Sequence, residues 1–273
     1  MSHHALQRAL VVALHDPTFV AAMHADPDAT LAPFRLEPAE RDQLLAVDRR
    51  AFAVDRLRPR RVLKAIVEEL RASMAIALAE TRSFAFADAF FASPAFHGAV
   101  LHDQPLVLAL ADYLAGAGLT TPQLAGVLAI ERARAESRRD LARRPGPGLS
   151  IAPGIRLLAT TAGALAALQA AEQHLFELAL LPHMALCDDR PPLALPPTGG
   201  DPLHLAVRAG ELSDLPEPLF RTLHALENAA TRGPVARRDM AAVLASVSLR
   251  VPDPEQLAAD LLADGYLTEE PQR

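Results

Sequence analysis

Two histidines and a glutamate are the residues whose spacing comes closest to a chemical site. His174 and Glu177 are three positions apart in a helical segment, so both side chains could share one helix face, and His183 follows not far along. Imidazole and carboxylate groups at this spacing can bind zinc or a related metal ion. Two candidate ligands rarely suffice for such a site. We therefore interpret the segment as an ordinary surface helix and expect no bound metal.

The other candidate reactive side chains also have simpler interpretations. His15, His24 and His102 each lie within two residues of an aspartate, which suits polar helix ends. His97, in SPAFHGAV, is interpreted as a packed or exposed histidine rather than a general base. Cys187 is the single cysteine, so an intramolecular disulfide is excluded. We interpret it as a small hydrophobic residue near a helix end.

Motifs that identify common enzymes are absent from the sequence. It contains no Gly-x-Ser-x-Gly elbow, phosphate-binding loop, glycine-rich dinucleotide turn, Cys-x-x-Cys pair or His-Glu-x-x-His sequence. We therefore predict no catalytic residues and no cofactor in this chain. A binding protein, and not an enzyme, is the expected class.

Composition predicts a helical protein in two domains. The 273 residues exceed a typical single domain, and half of them are hydrophobic, yet tryptophan is absent and only 12 are Phe or Tyr. Such a core consists mainly of Ala, Leu and Val on helices. The net charge of −6 is modest, the N-terminus lacks an export signal, and no window approaches ~18 uninterrupted apolar residues. We expect a cytoplasmic protein.

The first half of the chain is predicted to be a helical bundle over residues 1–146. Proline follows a short oxygen-bearing residue at five probable helix starts: Asp16-Pro17, Asp26-Pro27, Ser93-Pro94, Thr121-Pro122 and Asp253-Pro254. Short helices are predicted over 6–14, 18–24 and 39–47. The four-residue spacing of apolar side chains over 60–81 predicts one long central helix, and the Phe-rich segment 83–117 predicts further packed helices.

A domain boundary is predicted at Pro145–Gly148, because a helix cannot continue through Pro-Gly-Pro-Gly. The preceding segment ERARAESRRDLARR closes a helix over 121–144, and its charges are typical of a solvated helix face, with contact to an acidic partner as the alternative. Beyond the boundary, an α+β domain is predicted over 149–273. It starts with a possible short strand at 155–161 and a helix over 163–181.

The last seventy residues predict a winged-helix-like module at about 201–273. Leu203–Val207 and Glu211–Leu215 flank Ala209-Gly210, which is typical of a β-hairpin. Helices are predicted over 218–229, 236–246 and 254–264, the last with capping-box spacing, and a short strand over 266–268. The predicted fold class is therefore mainly α, with an N-terminal helical bundle and a C-terminal α+β domain.

The charge of this module argues against binding to DNA. Residues 201–273 contain 12 Asp or Glu and 7 Arg, and the third predicted helix carries Glu255, Asp260 and Asp264 without a basic residue. A helix that enters the major groove approaches phosphates, which attract Arg and Lys. A winged-helix transcriptional regulator, for which Arg237 and Arg238 are the main support, is therefore an alternative only.

The order of several segments resembles a known family. HDPTFVAAMHADPDATLAPFRLEPAERDQLLAVDRRAFAVDR is similar to the helical N-terminal unit of accessory proteins and of small helical dioxygenase subunits. Together with FFASPAFHGAV, LVLALADYLAG and the acidic module ending LLADGYL, it resembles partner proteins of the multinuclear non-heme iron-dependent oxidative enzymes. The methanobactin partner protein belongs to that group. The resemblance covers most of the chain and rests on segment order.

This resemblance implies a non-catalytic adaptor in a heterodimer with an iron-dependent, peptide-modifying oxidase. The adaptor would recruit the leader of a ribosomally made precursor peptide, and the iron would belong to the partner enzyme. The leader would add a strand to the hairpin edge beside the third helix. The matching positions are Glu211, Leu212, Asp214, Leu215, Leu257, Asp260 and Leu261. Their acidic members favour a basic leader, although Leu261 could equally fill the core.

A third hypothesis, a helical dioxygenase subunit, rests on the N-terminal unit alone. It predicts that deletion of the residues after Gly148 leaves the activity of the complex intact. The adaptor hypothesis predicts that this deletion abolishes peptide binding.

Overall fold

The computed structural model describes residues 3–55, 57–140, 147–177, 192–249 and 251–270. Of these residues, 64% are helical and 11% are in strands, with a small antiparallel sheet, so the protein belongs to the mainly α class as predicted. The chain divides into two compact units. The first comprises Met1–Leu128 and Ala170–Leu195, and the second comprises Ala129–Gln169 and Pro196–Arg273. The predicted boundary at 145–148 therefore falls within the range of the second unit.

The described chain forms twelve α-helices up to residue 177. They are α1 (His4–His15), α2 (Pro17–Ala25), α3 (Pro27–Leu31), α4 (Pro38–Leu45), α5 (Arg49–Phe52), α6 (Arg58–Val67), α7 (Arg71–Thr81), α8 (Ala85–Asp88), α9 (Pro94–Leu101), α10 (Leu106–Gly116), α11 (Gln123–Asp140) and α12 (Ala162–Glu177). Helices α11 and α12 each contribute residues to both units.

Side-chain caps explain where several of these helices begin. Asp16, Asp26 and Ser93 each accept a hydrogen bond from a backbone N–H in the first turn of the following helix, and proline occupies the position after each cap. Asp253 caps a later helix in the same way. The cap accepts a hydrogen bond from an N–H group that the helix itself cannot pair. Proline, directly after the cap, has no N–H group of its own that would need a partner. These four predicted helix starts are confirmed.

The prediction of one helix over 60–81 is wrong. The chain instead forms α6 and α7, and Leu70 between them is outside helical geometry, with φ −127° and ψ 38°. The two helices have different surroundings: α6 buries only Leu63 and Val67, whereas α7 buries seven successive residues from Ala72 to Leu78. A break between them allows α7 to be enclosed on all sides. No proline or glycine marks it in the sequence.

Aromatic side chains complete the core of the first unit around α7. Phe90 and Phe96 are fully buried, and their rings meet edge to face with centroids 5.6 Å apart. Tyr113 on α10 contacts Phe90 and donates a hydrogen bond of 2.8 Å to the carbonyl oxygen of Phe86. Aromatic rings bury large areas in such arrangements, so this cluster contributes much of the unit's stability.

The described residues of the second unit form five strands in two antiparallel sheets. They are β1 (Gly148–Ile151), β2 (Ile155–Thr161), β3 (Pro202–Arg208), β4 (Glu211–Asp214) and β5 (Leu267–Glu270). One sheet has the order β2-β3-β4, and the other pairs β1 with β5. The predicted strand over 155–161 and the predicted hairpin are confirmed. The hairpin and the last strand, however, belong to different sheets.

Three further helices follow the hairpin, as predicted: α13 (Glu217–Ala230), α14 (Met240–Ser246) and α15 (Pro254–Ala263). Their apolar faces form one core with β1 and β5, in which Leu149, Leu223, Leu226 and Met240 are almost completely buried. Leu149 at β1 also donates a backbone hydrogen bond of 2.7 Å to Val235, between α13 and α14. The C-terminal module therefore needs strands that lie well before residue 201.

The charged half of α11 is solvated only in part: Arg138 and Arg139 are exposed, whereas several of its other residues are buried or half-buried. Glu131 is only 4% exposed and Ser137 is fully buried. Ser137 donates a hydrogen bond to the carbonyl oxygen of Gly154, and Arg156 of β2 pairs with Glu136 and Asp140 at 3.5 and 2.7 Å. The interpretation as a solvated face is therefore wrong for the buried and half-buried residues. They pack and pair within the second unit, and residues 141–144 lie outside the described chain.

Candidate peptide-binding edge

A two-residue turn positions the hairpin strands. Ala209 and Gly210 have φ values of 52° and 89°, so both adopt the left-handed conformation that tight hairpin turns require. Glycine accepts this conformation without strain, whereas alanine does not. Arg208 and Glu211 close the turn as directly opposite partners. This register decides which backbone groups of β4 point away from the sheet.

The free edge of β4 presents the backbone of Leu212 and Asp214. The N–H of Leu215 donates a 2.8 Å hydrogen bond to His204, so its neighbour two residues earlier, Ser213, also pairs inward. In an antiparallel ladder, inward and outward backbone groups alternate along the strand. The N–H and C=O groups of Leu212 and Asp214 therefore point outward. In the described sheet, β4 has a partner on one side only.

The predicted side chains of β4 differ in accessibility. Glu211 and Asp214 are exposed and Leu212 is half-buried, whereas Leu215 is only 6% exposed and belongs to the core of the second unit. A peptide on this edge could contact the first three side chains directly. Leu215 instead anchors the end of the strand.

Helix α15 carries the other predicted residues, and they too divide into core and surface. Leu261 is 4% exposed within the same core as Leu215, and Leu257 is half-buried against it. The alternative in which Leu261 fills the core is therefore the arrangement observed. Asp260 is exposed and accepts a 2.7 Å hydrogen bond from Gln256. Only Asp260 and part of Leu257 are available to a ligand.

The two parts of the predicted site, on β4 and on α15, are connected through the core that Leu215 and Leu261 share. They also approach each other near the hairpin turn, because the guanidinium group of Arg208 lies next to Gly265, just after α15. A Cβ atom on Gly265 would be only 3.0 Å from this group. Helix α15 packs most closely on α14, on the 3₁₀ turn Arg237–Asp239 and on β5. Arg208 was not among the predicted peptide-binding residues. In the sequence, only its position next to the predicted hairpin turn could have indicated that it lies near the site.

Most exposed charged side chains of β4 and α15 are acidic. Glu211 and Asp214 are exposed on β4, where Arg208 is the exposed partner opposite Glu211, and Glu255, Asp260 and Asp264 are exposed on α15 or directly after it. One of the two arginines that favoured DNA binding, Arg237, pairs with Glu269 through hydrogen bonds of 2.9 and 2.6 Å. This ion pair removes part of the small positive charge available to attract phosphate.

The histidine predicted as packed or exposed, His97, is half-buried and lies 2.9 Å from a carboxylate oxygen of Asp16. Asp16 is 1% exposed and also accepts hydrogen bonds from the N–H and hydroxyl of Thr18, at 2.8 and 2.6 Å. Burial alone would raise the pKa of Asp16, but the hydrogen bonds from His97 and Thr18 outweigh burial and lower it. This arrangement ties α9 to the start of α2.

Three of the sequence candidates cannot be placed. Cys187, His183 and the side chain of Glu177 lie outside the residues that the structure describes. Among described side chains, no group of three or more His, Cys, Asp or Glu is arranged to hold a metal ion.

Comparison with known proteins adds no family assignment. No family model, curated protein or solved structure matches this chain. Among the described residues, no helix is both long enough and apolar enough to cross a lipid bilayer.

Proposed function

We propose that this chain is a non-catalytic adaptor that binds a peptide along the free edge of β4 and holds it for a peptide-modifying oxidase. The peptide would be the leader of a ribosomally made precursor, and the iron would be in the partner enzyme. The outward-facing backbone of Leu212 and Asp214 is the observation that supports this proposal. An added strand gains affinity from such backbone groups.

The second unit would then be a winged-helix-like peptide-recognition module. The order of its elements supports this: the strands β2, β3 and β4 precede the three helices α13, α14 and α15. Helix α12 is inserted between β2 and β3. On this interpretation the module begins near residue 148, because β1 pairs with β5 and Leu149 of β1 donates a backbone hydrogen bond to Val235.

Charge would select among peptides. A basic leader beside Glu211, Asp214 and Asp260 would gain favourable interactions with exposed carboxylates. Exposed ion pairs are individually weak and are screened by salt. The proposal therefore expects binding that weakens as the salt concentration rises.

Replacement of Asp214 by proline tests the strand edge. The probe is a fluorescein-labelled peptide in which Lys and Val alternate, and binding is followed by fluorescence anisotropy. Proline at 214 removes an outward N–H without disturbing the ladder to β3, which edge positions tolerate. Compared with D214A, which also loses the carboxylate, D214P should weaken binding about fivefold, the equivalent of one hydrogen bond of about 1 kcal/mol.

Equal affinity of D214A and D214P for the Lys-Val peptide would contradict strand addition. Equal binding of a Glu-Val peptide of the same length would contradict selection by charge, because it would show that the exposed carboxylates have no influence.

The partner enzyme is tested separately, by affinity capture with the tagged chain followed by mass spectrometry and metal analysis. The adaptor hypothesis expects an iron-containing oxidase in the complex and no iron on the purified chain. Stoichiometric iron bound to the chain alone would exclude an adaptor whose iron resides in its partner.

A further inference from the structure

The first unit contains a pocket that the peptide-binding hypothesis does not use. Its volume is about 740 Å³, and it is lined by residues of α1, α2, α5 and the start of α6, with Asp88 and Phe91. Pockets that bind small molecules have volumes of about 300–1,000 Å³. The size therefore suits a small organic ligand.

The inner wall of the pocket is apolar. Val20, Phe52 and Phe91 line it and are each less than 8% exposed. His15 also lines the pocket and stacks on Phe91, with ring centroids 5.3 Å apart. Burial lowers the pKa of His15 below its ordinary value, so its ring is uncharged at neutral pH. This part of the pocket would accept a hydrocarbon group.

The rim carries charges of both signs, and one arginine among them is left without a partner among the described residues. Arg49, Arg60, Asp55 and Asp88 line the pocket. Asp55 is already paired with Arg61 and Arg58, and Asp88 lies 3.7 Å from Arg60. Arg49 has no hydrogen bond or ion pair from its guanidinium within the part of the chain that the structure describes. The carboxylates are thus compensated, and a positive charge remains.

The local sequence has the same excess. Residues 48–64 contain seven Arg or Lys and two Asp, although the chain as a whole has a net charge of −6. At the mouth, Leu57 is 59% exposed and extends the apolar lining towards solvent. An apolar surface bordered by unpaired positive charge is complementary to an amphiphilic anion.

We propose that this pocket binds an organic acid with an aliphatic or aromatic body, its carboxylate held by Arg49 at the rim. The hydrocarbon would contact Val20, Phe52 and Phe91. Guanidinium groups bind carboxylates through two parallel hydrogen bonds, and these are stronger than neutral hydrogen bonds. The proposal is independent of peptide binding at β4, since it concerns the first unit alone.

Calorimetric titration with dodecanoate, below its micellar concentration, tests the proposal. Dodecan-1-ol has the same hydrocarbon chain without the charge and should bind at least tenfold more weakly. Dodecyltrimethylammonium, with the opposite charge, should bind no better than the alcohol. Equal binding of the acid and the alcohol would overturn the proposal.

Matched variants locate the site. R49Q should weaken dodecanoate binding about tenfold, the equivalent of a charged hydrogen-bonding partner worth about 1.4 kcal/mol. R50Q is the control, because Arg50 is exposed on the same helix and does not line the pocket but carries the same charge. A21W should abolish binding, since Ala21 lines the pocket at an exposed position where a larger side chain is accommodated without disturbing the core.

Each variant is checked for folding by circular dichroism and thermal unfolding before titration. If R50Q weakens binding as much as R49Q, or if A21W binds dodecanoate normally, the acid does not occupy this pocket and the proposal is wrong.

Discussion

The two proposed binding regions differ in how they would recognise a ligand. The pocket of the first unit is lined by side chains from several helices, with Arg49 at its rim unpaired among the described residues, whereas β4 of the second unit presents backbone groups beside exposed carboxylates. A pocket selects by shape and charge, and a strand edge pairs with almost any extended chain. Specificity at β4 must therefore come from the few side chains around it.

The largest expected effect separates core from surface in the second unit. L261A should lower the free energy of unfolding by about 2–5 kcal/mol, because it leaves a cavity where a leucine is 4% exposed. L257A, at the half-buried neighbour on the same helix, should cost less. The measurement is urea unfolding followed by the fluorescence of Tyr266 in a Y113F background, since the chain has two tyrosines.

A matching measurement in the first unit uses Tyr113 in a Y266F background. The urea midpoint that Tyr113 reports should shift less in L261A than the midpoint that Tyr266 reports. If L257A and L261A lowered the free energy of unfolding equally, this would contradict the assignment of Leu261 to the core and of Leu257 to the accessible face of α15.

The next effect concerns the carboxylate of Asp16 in the first unit. D16A should lower the free energy of unfolding by about 2–3 kcal/mol, because it removes a helix cap and the buried carboxylate that accepts hydrogen bonds from His97 and Thr18. D26A removes an exposed cap that has no histidine partner and should cost about 1 kcal/mol. Urea unfolding followed by Tyr113 compares the two.

The same residue predicts a dependence of stability on pH. The pKa of Asp16 is lower in the folded chain than its ordinary value of 3.8, so its contribution is complete above that value and is lost as the pH falls through the lowered pKa. In urea unfolding between pH 2 and 5, D16N should lose less stability on acidification than the parent chain. An unchanged profile would show that other acidic groups account for the dependence.

The smallest expected effect is at the hairpin turn. A209N should raise the free energy of unfolding by about 0.5–1 kcal/mol, because asparagine tolerates the positive φ that alanine adopts there with strain. A209V should have the opposite effect, since a β-branched side chain is disfavoured in this conformation. Thermal unfolding measures both. A destabilised A209N would contradict the assigned turn geometry.

Local features of the sequence predicted much of the second unit. Ala209-Gly210 and the two segments that flank it predicted the hairpin, and Asp253-Pro254 predicted the start of α15. These signals act within a few residues, through turn geometry and capping, and need no knowledge of distant contacts. The same is true of the caps at Asp16, Asp26 and Ser93.

Long-range packing decided what the sequence pattern could not. Apolar spacing continued through Leu70, so only the different surroundings of α6 and α7 explain the break between them. The pairing of β5 with β1, more than a hundred residues earlier, likewise depends on which edges meet in the folded unit. Sequence periodicity describes a face of an element and not its partner.

The absence of catalytic motifs, the helical class and the acidic C-terminal segment were determined by the sequence itself. The tertiary structure decided which of the seven predicted peptide-binding residues remain accessible, because burial of Leu215 and Leu261 follows from the shared core. It also assembled the arginine-lined pocket from helices separated along the chain. A pocket exists only where distant surfaces meet, so no local pattern can specify it.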